Sequence, residues 1–527
     1  MNQRYGLFWG VTAVFLGLLV FLWDSSSKGV VALQIVFGAV FLLGVYDLFQ
    51  SRHSILRNYP LLGHFRFFAE KISPEIHQYF IENDTSGTPF SKNQRSLIYE
   101  RAKSIEGLMP FGTELNVYSP KYFYMKHSLT AHRNQNTDYR LIVGGENCLK
   151  PYDCSVLNIS AMSYGALGGR AIEAMNLGAK SGHFYHCTGE GGVSPYHLKH
   201  GGDLVWQIGT GYFGCRNKNG NFDPAIFQKT AAHPSVKMIE IKLSQGAKPG
   251  HGGVLPAAKV SREIAEARGV AEHEDCISPP SHSAFSTPLE LCAFIKTLRD
   301  LSGGKPIGFK LCIGFESEFF SICKAMKETD ILPDFITVDG GEGGTGAAPQ
   351  ELSDHVGWPS DLGLHFVHQT LIGCGLRDRI KIAAAGKIFS SMAMIRLFLL
   401  GADWCNAARA FMMSVGCIQA RLCHTNKCPV GVATMDKSRQ RALVVQDKAP
   451  RAYQFHKNTL SALGELLGAC GVDHPGEISW KFFSKNDPLY LKVKDSFIAP
   501  EAFLKKRGPE ELQRLWDLSQ AESFVTA

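Results

Sequence analysis

Eight short apolar runs recur through the middle of the chain, each handing over to a loop or a helical stretch, and nothing else in the sequence restricts the fold so strongly. They are VLNIS (156–160), HFYHC (183–187), LVWQI (204–208), MIEIKL (238–243), IGFKL (307–311), FITVD (335–339), IKIAAA (380–385) and WCNAA (404–408). Helical spacing fills several of the intervals, as in GRAIEAMNLGAKSG, LELCAFIKTLRDLSGG and SSMAMIRLFLLGAD. That count and order predict an α/β fold, a (β/α)8 TIM barrel, with an open doubly wound sheet as the competing arrangement of the same rhythm.

The glycine-rich stretches favour the barrel. TGEGG (188–192) follows the second run, SQGAKPGHGG (244–253) the fourth, GGEGGTG (340–346) the sixth and GK (386–387) the seventh. Barrel active sites lie at the C-terminal ends of the strands, and a phosphate commonly binds after strands seven and eight. Glycines there let backbone N–H groups approach an anion closely. One such cluster is only a turn; four at the same strand ends predict a site for a phosphate-bearing cofactor.

The N-terminus is of another kind. GLFWGVTAVFLGLLVFLW (Gly6–Trp23) is uncharged over about the length of one bilayer-spanning helix, and VVALQIVFGAVFLLGVYDLF (Val30–Phe49) follows after the break DSSSKG. The pair predicts a transmembrane hairpin rather than a cleaved signal peptide, a pair of buried core helices being the alternative. Arg52, Arg57, Arg66 and Lys71 follow it and Arg4 precedes it, so the positive-inside tendency places both ends and the large domain on the cytoplasmic side of the inner membrane. The expected organisation is a hairpin over 1–52, a lead-in packing on the barrel over 53–150, the barrel over 151–435 and a C-terminal helical extension over 436–527. The lead-in mixes helical spacing (ISPEIHQYFIEND, SKNQRSLIYERAKS) with the extended-looking ELNVYSPKYFYMKHS, and APEAFLKKRGPEELQRLWDL near the C-terminus reads as one helix. A net charge of +7 spread over 527 residues argues for a solvated surface and against a nucleic-acid partner.

Fourteen cysteines in a reducing compartment do not imply disulfides. Cys187, Cys292 and Cys312 sit in apolar surroundings and read as small core residues. Cys417, Cys423 and Cys428, in CIQARLCHTNKCPVG, are a cluster. Separations of six and five residues rotate by about 240° and about 140° on a helix, so the three share a face only if the chain leaves the helix near Cys423. Pro429 and Gly431 supply the breakers. Three thiolates suit an iron–sulfur cluster, or zinc completed by His424 or water, and plain packing is the remaining alternative.

LNISAMSYGAL, TGEGG, IEIKLSQGAKPG, ISPPSH, GGTGAAP, HQTLIGCGLRDR and GCIQARLCHTNKCPVGVAT occur in that order. Together they resemble the FMN-binding synthase domain of glutamate synthase over about Val156 to Thr434. The resemblance implies FMN at the mouth of the barrel and a [3Fe-4S] cluster on Cys417, Cys423 and Cys428. It implies reduction of 2-iminoglutarate, formed from 2-oxoglutarate and ammonia, to L-glutamate. Ser160, Met162 and Ser163 would line the flavin edge, although Ser160 and Ser163 could instead cap the following helix. Lys310 would sit near flavin N1, Gly344, Thr345 and Gly346 near the ring or ribityl chain, and Gly386, Lys387, Ala408 and Arg409 around the phosphate. Gln245 and Lys248 would hold the dicarboxylate, with Lys242 as a second cation and His282 as a further substrate contact. Glu190 would stabilise positive charge at the reacting carbon, giving Glu190, Lys248 and Gln245 as the catalytic set.

The pattern also breaks in places. His251 stands where the family usually has Glu, and SPPSHSAFS lacks the second His and the Asp of the usual stretch. No cysteine precedes Cys148, so an N-terminal glutamine amidotransferase is not expected here, and ammonia would come free or from a separate amidotransferase subunit. The hairpin raises a membrane-associated electron donor as an expectation, the donor itself being unspecified by these residues. A glutamate N-methyltransferase-like FMN enzyme and a membrane-anchored non-catalytic subunit are the competing readings.

Overall fold

Parallel strands buried on both faces need an unbroken apolar run with polar residues only where a partner waits inside, and the eight runs meet that demand. In the computed structural model, which describes residues 5–21 and 27–525, they form β1 (Leu157–Ile159), β2 (His186–Cys187), β3 (Leu204–Ile208), β4 (Val236–Lys242), β5 (Ile307–Leu311), β6 (Phe335–Asp339), β7 (Lys381–Ala385) and β8 (Trp404–Ala407). Each pairs in parallel with its sequence neighbours and β8 closes on β1, so the sheet is a closed barrel and the open alternative is excluded. The helices Gly169–Ser181, Pro288–Leu301 and Ser391–Leu399 stand where the spacing put them.

The chain divides into two units, Met1–Asn93 and Gln94–Ala527. The division falls inside the 53–150 lead-in, so only the later part of that segment belongs to the barrel unit. The helix Lys92–Lys103 begins at that boundary, and ELNVYSPKYFYMKHS beyond it contains no strand. An antiparallel ribbon, Arg140–Val143 with Tyr152–Ser155, leads into β1. After the barrel, Val445–Ala469 lies along the helix Gly169–Ser181, so closely that a Cβ on Gly178 would meet the Ala449 carbonyl at 2.7 Å. Near the C-terminus the expected single helix is two pieces. Residues 500–506 are turns, and only Glu510–Leu518 is helical, because Pro509 cannot continue a helix and instead starts one.

Loops at the C-terminal ends of the strands build a second small core over the barrel. Tyr164 from the loop after β1, Phe213 from that after β3, and Leu255, Val260, Ile264 and Cys276 from the long loop after β4 pack with Met435. This core fixes loops that would otherwise be free above the sheet.

In the first unit, α1 (Gly6–Phe21) and α2 (Lys28–Phe49) form a hairpin. Phe41 stacks on Phe8 and Phe15 with ring centroids 6.0 and 5.5 Å apart, and Gln34 Nε2 donates to the Leu18 carbonyl at 3.1 Å. Among the described residues one helix, α2, is long and apolar enough to cross a membrane, with a mean hydropathy of 2.2; α1 is shorter. Trp23, the first half of the break after it (24–26) and Arg4 lie outside the described residues.

Candidate functional site

Strand alternation sets the polar interior. In β4 the inward positions carry Glu240 and Lys242, while Ile239 and Ile241 face the helices. Register places Lys242 beside Lys310 of β5, and Lys310 beside Thr337 of β6. Two neighbouring buried ammonium groups require acids, and each has one. Lys242 Nζ lies 2.8 Å from Glu190 of the loop after β2, and Lys310 Nζ lies 3.6 Å from Asp339 at the end of β6. Glu240 accepts from Gln207 of β3 at 2.6 Å and from Thr337 at 2.5 Å, tying three strands together. Burial alone would depress the Lys310 ammonium, but Asp339 and Glu240 outweigh it and its pKa is raised. It stays a fixed positive charge.

Glu190 is seated by two glycines. A Cβ on Gly209 or Gly253 would come within 2.6 Å of its carboxylate oxygens, so only bare backbone permits its position. Burial raises its pKa, but the Lys242 charge and hydrogen bond, with Lys248 behind them, bring the net shift below the usual carboxylate range. The pocket beside it is lined by Glu190, Thr210, Lys242, Ser244 and His251. Lys248 is buried, and burial together with repulsion from Lys242 lowers its pKa to about 8. Lys248 donates to the Ala347 carbonyl at 3.2 Å and Gln245 to the Gly344 carbonyl at 3.0 Å, so both reach the loop after β6.

His282 has no nitrogen to spare. Its Nε2 faces the Lys242 carbonyl at 2.9 Å and must donate, leaving Nδ1 to accept from the Tyr212 hydroxyl at 3.0 Å. It braces the end of β4. His251 lines the pocket, with Nδ1 donating to the Gly252 carbonyl at 2.8 Å.

Along the opposite wall, Ser160 N–H donates to the Ala407 carbonyl at 3.0 Å, and Met162 N–H to the Cys187 carbonyl at 3.4 Å. The helix after β1 begins at Gly169 with Gly168 as its N-cap, so neither Ser160 nor Ser163 caps it. Gly189 has φ +65, and a side chain there would strike Ser163 N at 2.6 Å; the loops after β1 and β2 therefore touch through backbone. A Cβ on Gly346 would meet only Ala166, at 3.9 Å, and one on Gly386 only Ser360, at 3.6 Å, so neither glycine is closely covered. Gly344 lies under Arg409, and Thr345 is exposed with its hydroxyl toward the Ala347 carbonyl. Lys387 and Arg409 are both lowered in pKa, first by burial, and Lys387 also by the Arg409 charge. Two cations brought this close, with Ala408 opening the short helix Arg409–Ser414, suit a dianion.

The helix ends at Ser414, before Cys417 rather than near Cys423, and the break comes at Gly416 with φ +118 instead of at Pro429 or Gly431, so all three cysteines lie in a loop. Between 416 and 431 the backbone takes positive φ at Gly416, Gln419, Arg421, Asn426 and Gly431. Three of those residues carry side chains that resist it, and such conformations persist where the surroundings over-determine them, often at ligand sites. Cys417, Cys423 and Cys428 lie within one another's electrostatic reach. Burial first, then Cys423 and Cys428, pushes the Cys417 thiol up to about 12; burial and Cys428 also raise Cys423. Among the described residues no group of three or more His, Cys, Asp or Glu side chains is drawn to metal-ligand spacing. All fourteen cysteines are free thiols, with Cys187, Cys292 and Cys312 buried.

Lys259 was invisible in the sequence. Almost fully buried, it donates to the Ala166 carbonyl at 2.6 Å and the Cys423 carbonyl at 3.2 Å. It joins the loops after β1 and β4 to the cysteine loop, which puts the thiols at the same end of the barrel as the glycine clusters. The only hint was its place in LPAAKV (255–260), with apolar residues on both sides. Glu240 and Asp339 were also missed, although an acid inside MIEIK and at the end of FITVD signalled an inward partner for lysine.

Residues 129–473 match the conserved region in glutamate synthase. A glutamate synthase large subunit-like protein of Bacillus subtilis, YerD, is 38% identical over 510 residues, covering 89% of this chain and 95% of its own. An archaeal glutamate synthase [NADPH] of Methanocaldococcus jannaschii is 32% identical over 316 residues, 60% of this chain and 59% of its own. The glutamate synthase [NADPH] large chain of B. subtilis is 35% identical over 340 residues, 60% of this chain and 21% of its own.

Proposed function

Since the chain belongs to the glutamate synthase family and is an oxidoreductase acting on CH–NH2 donors, we propose that it reduces 2-iminoglutarate, formed from 2-oxoglutarate and ammonia, to L-glutamate. Its cofactors in this reading are FMN and a [3Fe-4S] cluster on Cys417, Cys423 and Cys428. When bound, FMN supplies the hydride and the cluster single electrons. Ammonia arrives free or from a separate amidotransferase subunit.

The observation that carries this reading is the pairing of Glu190 with Lys242 beside Lys248, at the barrel end that also holds Lys310, Lys387 and Arg409. Lys310 supplies a permanent charge for the electron-rich side of a flavin ring. Lys387, Arg409 and Gly386 would hold its phosphate, and Ser160, Met162 and Ser163 its edge, with Gly344, Thr345 and Gly346 across from them. Lys248 neutralises a substrate carboxylate and Gln245 donates a hydrogen bond to one, by releasing the Ala347 and Gly344 carbonyls, and Lys242 adds a second cation. Glu190 faces the carbon–nitrogen bond and stabilises positive charge on its nitrogen. His282 holds the wall from behind. The hairpin tethers the enzyme to the inner face of the cytoplasmic membrane, supported by the length of α2 and the basic residues after it. An electron donor within that membrane fits the tether.

The test is substrate-dependent reoxidation of the reduced holoenzyme. 2-Oxoglutarate plus ammonium should reoxidise it and yield glutamate. Turnover of glutamate plus methylamine to an N-methyl amino acid, with no response to 2-oxoglutarate, would overturn this reading in favour of a transferase.

A further inference from the structure

The helix Leu62–Ile76 carries its apolar residues on the wrong side for a protein interior. Leu62, Phe65, Ala69, Ile72 and Ile76 follow helical i, i+3, i+4 spacing, with Phe68 beside them, and so share one face. Such a face ordinarily turns inward. Here Leu62 is 52% exposed, Phe65 69% and Phe68 56%, and the π-helical turn His77–Ile81 extends the stripe with Phe80 at 83%.

The back of this helix is what packs. Phe67 meets His53 edge-on at 5.3 Å, and a Cβ on Gly63 would press on Leu56 at 2.9 Å. Asp47, in the last turn of α2, is fully buried and accepts from His64 Nε2 at 2.9 Å and from Leu61 N–H at 3.0 Å. A carboxylate can only accept, so His64 is the donor. The clasp holds Leu61 at φ 65 and sets the exposed stripe rigidly at the end of the hairpin. Between the hairpin and this helix, from Leu48 to Leu61, the chain has Arg52 and Arg57 and no acid, while on the helix itself Arg66 pairs with Glu70 at 2.9 Å and Lys71 is offset by Glu75. A continuous apolar face, flanked by exposed arginines and joined end-on to an apolar hairpin, matches an interfacial helix on an anionic bilayer.

We propose that residues 62–81 lie along the headgroup layer of an anionic phospholipid membrane, with Leu62, Phe65, Phe68 and Phe80 in the acyl boundary. The proposal rests on the reading of α1 and α2 as a membrane hairpin, and adds a lipid-contacting element that lies on the membrane.

The test uses the full chain, reconstituted in vesicles of phosphatidylcholine and phosphatidylglycerol, with photoreactive benzoylphenylalanine placed singly at Phe65, Phe68, Glu70 or Ile35. Ile35, exposed on α2, reports the hairpin and Glu70 the polar face. Lipid adducts from positions 65 and 68 should approach those from 35 and exceed those from 70 by about fivefold or more, and omitting phosphatidylglycerol should lower them about fivefold while leaving 35 unchanged. Adducts from 35 without an excess of 65 and 68 over 70 would overturn the interfacial helix alone. Absence of adducts from all four would overturn the hairpin reading and this one with it.

Discussion

Glu190 is held by one cation and two glycines, so its replacement separates charge from shape. Glu190→Gln keeps the volume between Gly209 and Gly253 but leaves Lys242 without its acid. We expect kcat/KM for 2-oxoglutarate and ammonium to fall roughly a hundredfold, the range for losing one preorganised electrostatic contact, with flavin content unchanged. Activity within twofold of the parent would remove Glu190 from the chemistry. Lys248 gives a second test through pH. Its pKa is lowered to about 8, so its charge is present below that pH and is lost as pH rises through it. KM for the dicarboxylate should therefore rise above pH 8. In Lys248→Arg that rise should vanish, because a guanidinium stays charged. A rise retained in the arginine variant would assign it to another group.

At the scale of elements, the loops after β1 and β4 and the cysteine loop meet at one lysine. Lys259→Met would leave the Ala166 and Cys423 carbonyls buried without their donor, at a cost of about 2–4 kcal/mol. Urea denaturation should show that loss, and iron content after reconstitution should fall with it; unchanged stability would mean the loops are held by their apolar core alone. The strands themselves were legible because burial on both faces demands unbroken apolar runs. The site was legible in part, for reasons that differ by residue. Glycine clusters and three clustered cysteines announce themselves by type and spacing. Lys259, by contrast, acts through two backbone carbonyls distant in sequence, and no local pattern encodes that. His282 reads like a ligand residue, yet Tyr212 and the Lys242 carbonyl use both its nitrogens. The helix near the C-terminus was overextended because amphipathic spacing outlasts the backbone break at Pro509.

For the whole molecule, a closed barrel gathers lysines from β4, β5 and the loop after β7 with an arginine just past β8, and sets a strained thiol loop at the same end. That coincidence is what a flavin and a cluster in electron-transfer contact require. It follows from topology, since every strand end faces the same way. The most direct test is cofactor analysis of the full chain purified without oxygen. The account predicts yellow-brown protein that releases FMN on denaturation and carries iron at about three atoms per flavin, with the iron lost in Cys428→Ser. Colourless protein containing stoichiometric zinc on the three cysteines would contradict it.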